Sequence, residues 1–233
     1  MRLYLKFFKR NLAELEKKSK SPLMENTNSI TPEHNYLCFT GGPVETNSYL
    51  IQLSEGNLLI DAPQGAASYF KDCRIHLLVL THGHFDHVMD AAAIARSHQC
   101  PVLMHQITEE IIADTGLLQR YGLNIQIEPI KASQYLSESN NHLLLGYSFS
   151  IFEVPGHCPG SLCFYDRRAG FLYGGDVLFA GGVGRWDLPG GNRELLLEGI
   201  QKKLFTLPAP TRVLPGHGLE TTIGKEKDSN PYF

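Results

Sequence analysis

Short apolar runs bounded by glycine, proline and polar clusters recur from Tyr36 to the end of the chain. Runs of this length and composition mark strands. They predict strands over Tyr36–Thr40, Ser48–Leu53 and Asn57–Ile60, with Gly41-Gly42-Pro43 and Ser54-Glu55-Gly56 as the turns. Ile75–Leu80 and Val102–Met104 follow as strands, the first ending in the wholly apolar Leu77-Leu78-Val79-Leu80 that suits a buried position. Ala66–Lys71 and Ala91–Arg96 read as helix. So does Thr108–Gly122, with Glu109 and Glu110 in the first turn, where the helix dipole favours acids. The second half repeats the style. Leu143–Leu145, Phe149–Val154, Leu162–Tyr165, Phe171–Tyr173 and Arg212–Leu214 read as strands, and Arg193–Leu204 as helix. Residues 124–138 show no assignable period. Hairpins followed by helix, twice over, imply an α/β fold of two similar halves, packed sheet to sheet with helices outside.

Residues 1–35 stand apart from the domain expected over 36–233. Leu5, Phe8, Leu12 and Leu15 fall at helical spacing among Arg2, Lys6, Lys9, Arg10, Lys17, Lys18 and Lys20. This reads as a basic amphipathic helix, followed by a linker at Ser21-Pro22 and Asn26-Thr27-Asn28-Ser29. Such a helix docks on a membrane or partner; its plainer reading is an ordinary surface helix or an extension with no chemical role.

Composition narrows the class. At 42% hydrophobic and 19% charged, the 233 residues can bury a full core. The net charge of -3 argues against a nucleic-acid partner. The five cysteines form no CxxC pair, which fits a reducing, cytoplasmic setting without a disulfide framework. No apolar run approaches the length of a transmembrane segment.

The chemistry concentrates in Thr81-His82-Gly83-His84-Phe85-Asp86-His87, where three histidines and a carboxylate lie within seven residues. Imidazole and carboxylate are ligands for zinc and its neighbours. In an extended strand-exit loop His82 and His84 point the same way and can grip one ion. Asp86 and His87 follow as the chain turns toward helix, facing a second ion. Three further strands run into Pro155-Gly156-His157, Gly174-Gly175-Asp176 and Pro215-Gly216-His217. Glycine lets the chain turn sharply there and present a ligand at a strand end. Asp61 also ends a strand and is a candidate acceptor for the free N–H of a ligating imidazole. Of the other histidines, His34, His76, His98, His105 and His142, each reads as an ordinary surface or satisfied residue.

The set His82-x-His84-x-Asp86-His87, His157, Asp176 and His217 resembles that of the metallo-β-lactamase superfamily, over roughly residues 36–233. The resemblance implies an αββα sandwich of two mixed sheets. It assigns His82, His84 and His157 to one ion and Asp86, His87 and His217 to the other. Asp176 bridges both, opposite a hydroxide that attacks the substrate, so Asp86 and Asp176 count as catalytic. Two divalent ions are implied, with zinc first and iron or manganese as alternatives. Asp61 matches an aspartate that supports the metal loop.

Within the superfamily, Gly174–Arg185, Pro215-Gly216-His217-Gly218, Thr221–Gly224 and Asn230-Pro231 are similar to the glyoxalase II-like hydrolases. Only residues 218–233 follow His217, which places the resemblance among short single-domain members. The implied activity is hydrolysis of a small acyl substrate, a thioester such as S-lactoylglutathione. Arg185 matches a substrate-contacting basic position, and the lone Trp186 is a candidate cleft wall or gap filler. Cys158 replaces the usual threonine and reads as a buried thiol. The competing reading is a mononuclear iron persulfide dioxygenase, a branch whose last motif usually reads Pro-Ala-His. A β-lactamase is disfavoured by His87, which that branch commonly lacks.

Overall fold

Leu58, Leu59 and Ile60 are all buried, yet they serve two different cores. Leu58 and Ile60 point between two sheets, where they join Leu77, Val79, Leu103, Ile151, Phe164, Tyr173 and Leu214. Leu59 points the other way and packs with Leu78, Leu80, Phe70, Val88, Ile94 and Ile112 under a helical layer. A strand covered on both faces has no polar side, which explains the unbroken apolar runs of the sequence.

The computed structural model describes residues 36–120 and 122–233. The amphipathic helix and linker expected over residues 1–35 lie outside the described residues. The first sheet has the order β1 (Tyr36–Gly41), β2 (Thr46–Leu53), β3 (Gly56–Ile60), β4 (Leu77–Val79), β5 (Val102–Met104) and β6 (Gln134–Tyr135). Its first three strands are antiparallel and the rest parallel. The second sheet contains β7 (Ser139–Leu144), β8 (Tyr147–Glu153), β9 (Leu162–Asp166), β10 (Phe171–Gly175), β13 (Arg212–Pro215) and β14 (Thr221–Thr222), with only the β10–β13 pair parallel. A separate hairpin joins β11 (Leu178–Phe179) to β12 (Gly182–Val183).

Helices cover the outer faces. α1 (Ala66–Tyr69), α2 (Phe85–Val88), α3 (Ala91–His98), α4 (Gln106–Ala113) and α5 (Leu117–Arg120) belong to the first half, and α6 (Arg193–Lys202) and α7 (Ile223–Ser229) to the second. On the second sheet, Leu196 and Ile200 of α6 pack on Val154, Cys163, Tyr165, Leu172 and Val213. The Asn192 side chain starts α6 by accepting from Leu195 N at 3.0 Å. This is the expected α/β sandwich, with two mixed sheets face to face and helices outside.

Several expectations need correction. The single helix over Thr108–Gly122 is two, α4 and α5. Asp114-Thr115-Gly116 separates them, weak helix formers all, and Asp114 bonds back to Ile111 O in a tighter turn. Arg193–Leu204 ends as α helix at Lys202 and finishes in a 3₁₀ turn over Leu204–Thr206. The short elements β6, β11, β12, β14 and α7 have no counterpart in the sequence pattern, because a two-residue strand carries no period and α7 has a single large apolar side chain, Ile223. All five cysteines are free. Among the described residues no helix is long and apolar enough to cross a membrane.

Candidate metal centre

Strands β3, β4, β8, β10 and β13 end at one rim of the sandwich, and the loops there carry the ligand-type residues. The turn after β4 delivers Thr81 and His82, then His84 in extended backbone, after which α2 presents Asp86 and His87 from one helical turn. The second half brings His157, Asp176 and His217. The halves are joined here by backbone bonds: Leu162 N donates to Thr81 O at 2.8 Å and Asn47 N to Gly216 O at 2.7 Å. Asn47 Nδ2 also holds the carbonyls of Pro215 and Gly218, and the Tyr49 hydroxyl donates to Pro215 O. The first sheet thus fixes the His217 loop of the second.

All seven candidate ligands converge. His82, His84 and His157 form one group, Asp86, His87 and His217 another, and His82, His87 and Asp176 a third, each with its donor atoms within 4.8 Å of one another. His82 Nε2 lies 3.1 Å from His84 Nδ1. Asp86 Oδ2 lies 3.4 Å from His87 Nε2 and 3.2 Å from His217 Nε2. The Asp176 carboxylate stands between the two triads: Oδ2 is 3.5 Å from His157 Nε2 and 3.3 Å from His217 Nε2, and Oδ1 is 3.2 Å from His87 Nε2.

These spacings are a test of fit. Ligands about 2.0–2.1 Å from a tetrahedral ion stand about 3.3–3.4 Å from each other. The observed separations bracket that value. His87 Nε2, His157 Nε2 and Asp176 Oδ1 are also buried with no hydrogen-bond partner. Buried polar atoms are rarely left so, and a pair of cations held among the two triads would satisfy all three. The residues present fit a pair of divalent ions.

The ring nitrogens facing away from this space are held in turn. His87 Nδ1 donates to Asp61 Oδ2 at 2.7 Å, His157 Nδ1 to the carbonyl of Arg185 at 2.8 Å, and His217 Nδ1 to the carbonyl of Val44 at 3.0 Å. His82 Nδ1 lies 3.0 Å from Thr81 Oγ1. That hydroxyl donates onward to Asp61 Oδ2, and Thr81 N donates to Asp61 Oδ1, both at 2.8 Å. Such bonds fix the tautomer and turn the other nitrogen toward the ion. Asp61 holds this post with φ 59, a left-handed conformation that aspartate tolerates better than most residues.

The two Pro-Gly-His motifs use glycine for different reasons. Gly156 has φ 128, a turn that strongly favours glycine. At Gly216 the need is space, since a Cβ there would lie 2.1 Å from Asp176 Oδ1 and 2.7 Å from His87 Cε1.

The charge balance differs between the triads. Burial holds the His84 imidazole down at about 3, and burial likewise lowers His82 and His157. Burial opposes protonation of His87 and His217 too. The Asp176 carboxylate outweighs it, with Asp86 assisting, raising His217 to about 10 and His87 well above the usual range. Burial disfavours the Asp86 anion, but His87 and His217 hold that carboxyl down at about 2. The second triad with Asp176 therefore attracts positive charge, whether protons or a metal ion.

Other candidates sit as follows. The Arg185 guanidinium is in a bidentate pair with Asp187, at 2.6 and 2.7 Å. Trp186 packs edge-on to Tyr232 at 5.8 Å, with Arg193 over its ring at 5.5 Å. The Cys158 thiol is buried, and burial pushes it up to about 11, so it is no thiolate. His76, His98 and His105 accept backbone N–H groups, and His105 caps α4. Residues that sequence reasoning missed include Thr46, whose hydroxyl donates to Asp86 Oδ2 at 2.7 Å, and Thr81. Thr81 was signalled only by its place beside His82. The Val44 and Arg185 carbonyls had no sequence signal, since every residue carries one.

A family model described as the metallo-beta-lactamase superfamily matches residues 41–217. Among curated proteins, the chain is similar to the probable metallo-hydrolase YqgX of Bacillus subtilis, 37% identical with 82% of this chain and 94% of that protein covered. It is similar to the hydroxyacylglutathione hydrolase GloC of Haemophilus influenzae at 34%, covering 81% and 93%. Among solved structures, BLEG-1, a B3 metallo-beta-lactamase, gives a TM-score of 0.79 at 33% identity over 84% of this chain and 98% of the other. TTHA1623 in a di-iron-bound form gives 0.76 at 34%, over 84% and 100%.

Proposed function

The chain belongs to the metallo-beta-lactamase superfamily, and from that membership we propose that it is a dinuclear metal-dependent hydrolase of small thioesters, of the S-lactoylglutathione kind. The observation that carries the two-ion reading is the Asp176 carboxylate standing between two complete triads. The thioester reading is supported by the likeness to a hydroxyacylglutathione hydrolase along 93% of that protein's length.

Each residue then has a task. His82, His84 and His157 would hold one ion and Asp86, His87 and His217 the other, with Asp176 facing both. Two divalent ions so placed supply Lewis acidity toward a carbonyl oxygen and a hydroxide nucleophile near neutral pH. Asp61 and the Val44 and Arg185 carbonyls keep the imidazoles in the ligating tautomer. Thr46 fixes the rotation of the Asp86 carboxylate. No side-chain nucleophile is called for, which agrees with a buried, protonated Cys158. A thiol leaving group has an ordinary pKa of about 8.5 and departs as thiolate without a strong general acid. Arg185 meets an anionic group of the substrate by exchanging its surface pair with Asp187, a contact worth at most about 1 kcal/mol in solvent. Trp186 backs that rim. Zinc suits the donor set, and the di-iron form of TTHA1623 makes iron the metal to compare.

The test is a substrate panel on protein of measured metal content: S-lactoylglutathione, an acyl-coenzyme A, a chromogenic cephalosporin and glutathione persulfide, each with and without oxygen. Thiol release from a thioester, independent of oxygen and abolished by chelation, is the expected result. Turnover of the cephalosporin alone assigns lactam hydrolysis, in line with the likeness to BLEG-1. Oxygen consumption with the persulfide by a single-iron protein overturns the hydrolase.

A further inference from the structure

Outside the metal loops, one buried carboxylate is unexplained by packing. Glu226 on α7 is 1% exposed. It accepts from the Thr221 hydroxyl, from Gly181 N at 2.8 Å and from Asn230 Nδ2 at 2.8 Å. Asn230, 4% exposed and one helical turn on, also donates through Nδ2 to Gly182 O at 3.0 Å. Both side chains thus reach across to the tip of the β11–β12 hairpin and hold consecutive backbone groups there.

The base of that hairpin is anchored by Leu178, buried with Val177 and packed with Val183 in the core under α6, but its tip has little else to fix it. Its ladder is two residue pairs, Leu178 with Val183 and Phe179 with Gly182, and a hairpin that short is marginal alone. Yet its two ends lie against the metal centre. β11 begins two residues after Asp176. β12 is followed by Gly184, where a Cβ would lie 1.9 Å from Asp176 O and 2.9 Å from His157 Cβ. Next comes Arg185, whose carbonyl takes the His157 Nδ1 proton. A shift of β12 therefore meets close packing at Gly184 and is passed on to His157 and Asp176.

We propose that Glu226, aided by Asn230, is a positioning residue for the metal centre, acting through the β11–β12 hairpin on His157 and Asp176. The carboxylate is required because a backbone N–H, a side-chain amide N–H and a hydroxyl converge on it in a dry site, where such bonds are strong and costly to lose. The inference rests on the two-ion centre and on no particular substrate.

The experiment loads metal-free protein with cobalt(II), records the visible ligand-field spectrum and titrates the ions out with a competing chelator. The variants are Glu226→Gln, Asn230→Ala and, as a stability control, Ile94→Val in the buried helix α3. In Glu226→Gln one of the two ions is expected to bind roughly ten-fold more weakly, with a changed spectrum. Ile94→Val lowers the unfolding midpoint and leaves both ions and the spectrum as in wild type. Two cobalt ions held at wild-type affinity by folded Glu226→Gln overturn the proposal, as does an equal loss in Ile94→Val. If Glu226→Gln does not fold, Asn230→Ala decides by the same two outcomes. Wild-type protein that takes up no cobalt sinks the metal-centre reading instead, a result distinct from either.

Discussion

Asp61→Asn isolates the second triad with little disturbance elsewhere. Asparagine has the same shape and tolerates the left-handed backbone that Asp61 adopts at φ 59. The amide orientation is dictated by the neighbours. Thr81 N, 2.8 Å from Oδ1, needs an acceptor, so the amide oxygen goes there and the NH₂ takes the Oδ2 position. Thr81 Oγ1 can accept from it, but His87 Nδ1, at 2.7 Å, can no longer donate. The imidazole must then accept at Nδ1 and carry its proton on Nε2, the atom aimed at Asp86 and Asp176. A protonated Nε2 cannot ligate. The loss of an outer partner of this kind weakens a metal site by about 10–100-fold, or about 1.4–2.7 kcal/mol. The first triad, held through Thr81 and the Arg185 carbonyl, keeps its ion. Chelator competition on the folded variant should therefore show one tight ion and one weakened, with turnover reduced at least in proportion. Nitrogen-15 chemical shifts of His87 in the zinc-loaded protein report directly which ring nitrogen carries the proton. Two ions held at wild-type affinity, with Nδ1 of His87 still protonated, refute the reasoning.

Asp176→Asn keeps the shape of the shared ligand but removes the charge that offsets repulsion between two cations; elemental analysis should show at least one site weakened, and turnover should fall by orders of magnitude. Arg185→Ala touches no ligand side chain and should raise KM more than it lowers kcat, with metal content unchanged by the same analysis. In the metal-free protein at pH 7.5, His87 and His217 should be protonated, because carboxylate neighbours raise both against the pull of burial, whereas His82, His84 and His157, lowered by burial, should be neutral. Ligation needs neutral imidazole, so filling the second triad should release about two protons, and its affinity should climb as pH rises toward about 10, while the first triad shows neither effect; calorimetry in buffers of different ionisation heat measures the difference. Deleting residues 1–30 should leave metal content and hydrolysis nearly intact, since among the described residues every candidate ligand and supporting partner lies between Val44 and Asn230; a folded but inactive truncation would contradict this.

The sequence alone carried the seven ligand candidates. Seven side chains of ligating chemistry stood at the ends of apolar runs, and a strand end on a sheet rim is where a rigid scaffold can present them. It carried the layer order as well, because strands without a polar face demand cover on both sides. Asp61 was legible for the same reason, as an acceptor at a strand end. What the sequence lacked was everything defined by distance across the chain. His82 and His84 offer different ring nitrogens to the same space, and only the fold selects which. The carbonyls of Val44 and Arg185 orient two imidazoles, yet a carbonyl is common to all residues and becomes specific only by placement. Gly216 reads as a turn glycine, but its cause is the Asp176 carboxylate packed against it. Periodicity records which way a side chain faces relative to its own element; which groups from other elements it then meets is decided by packing, and the metal centre is assembled entirely from such meetings.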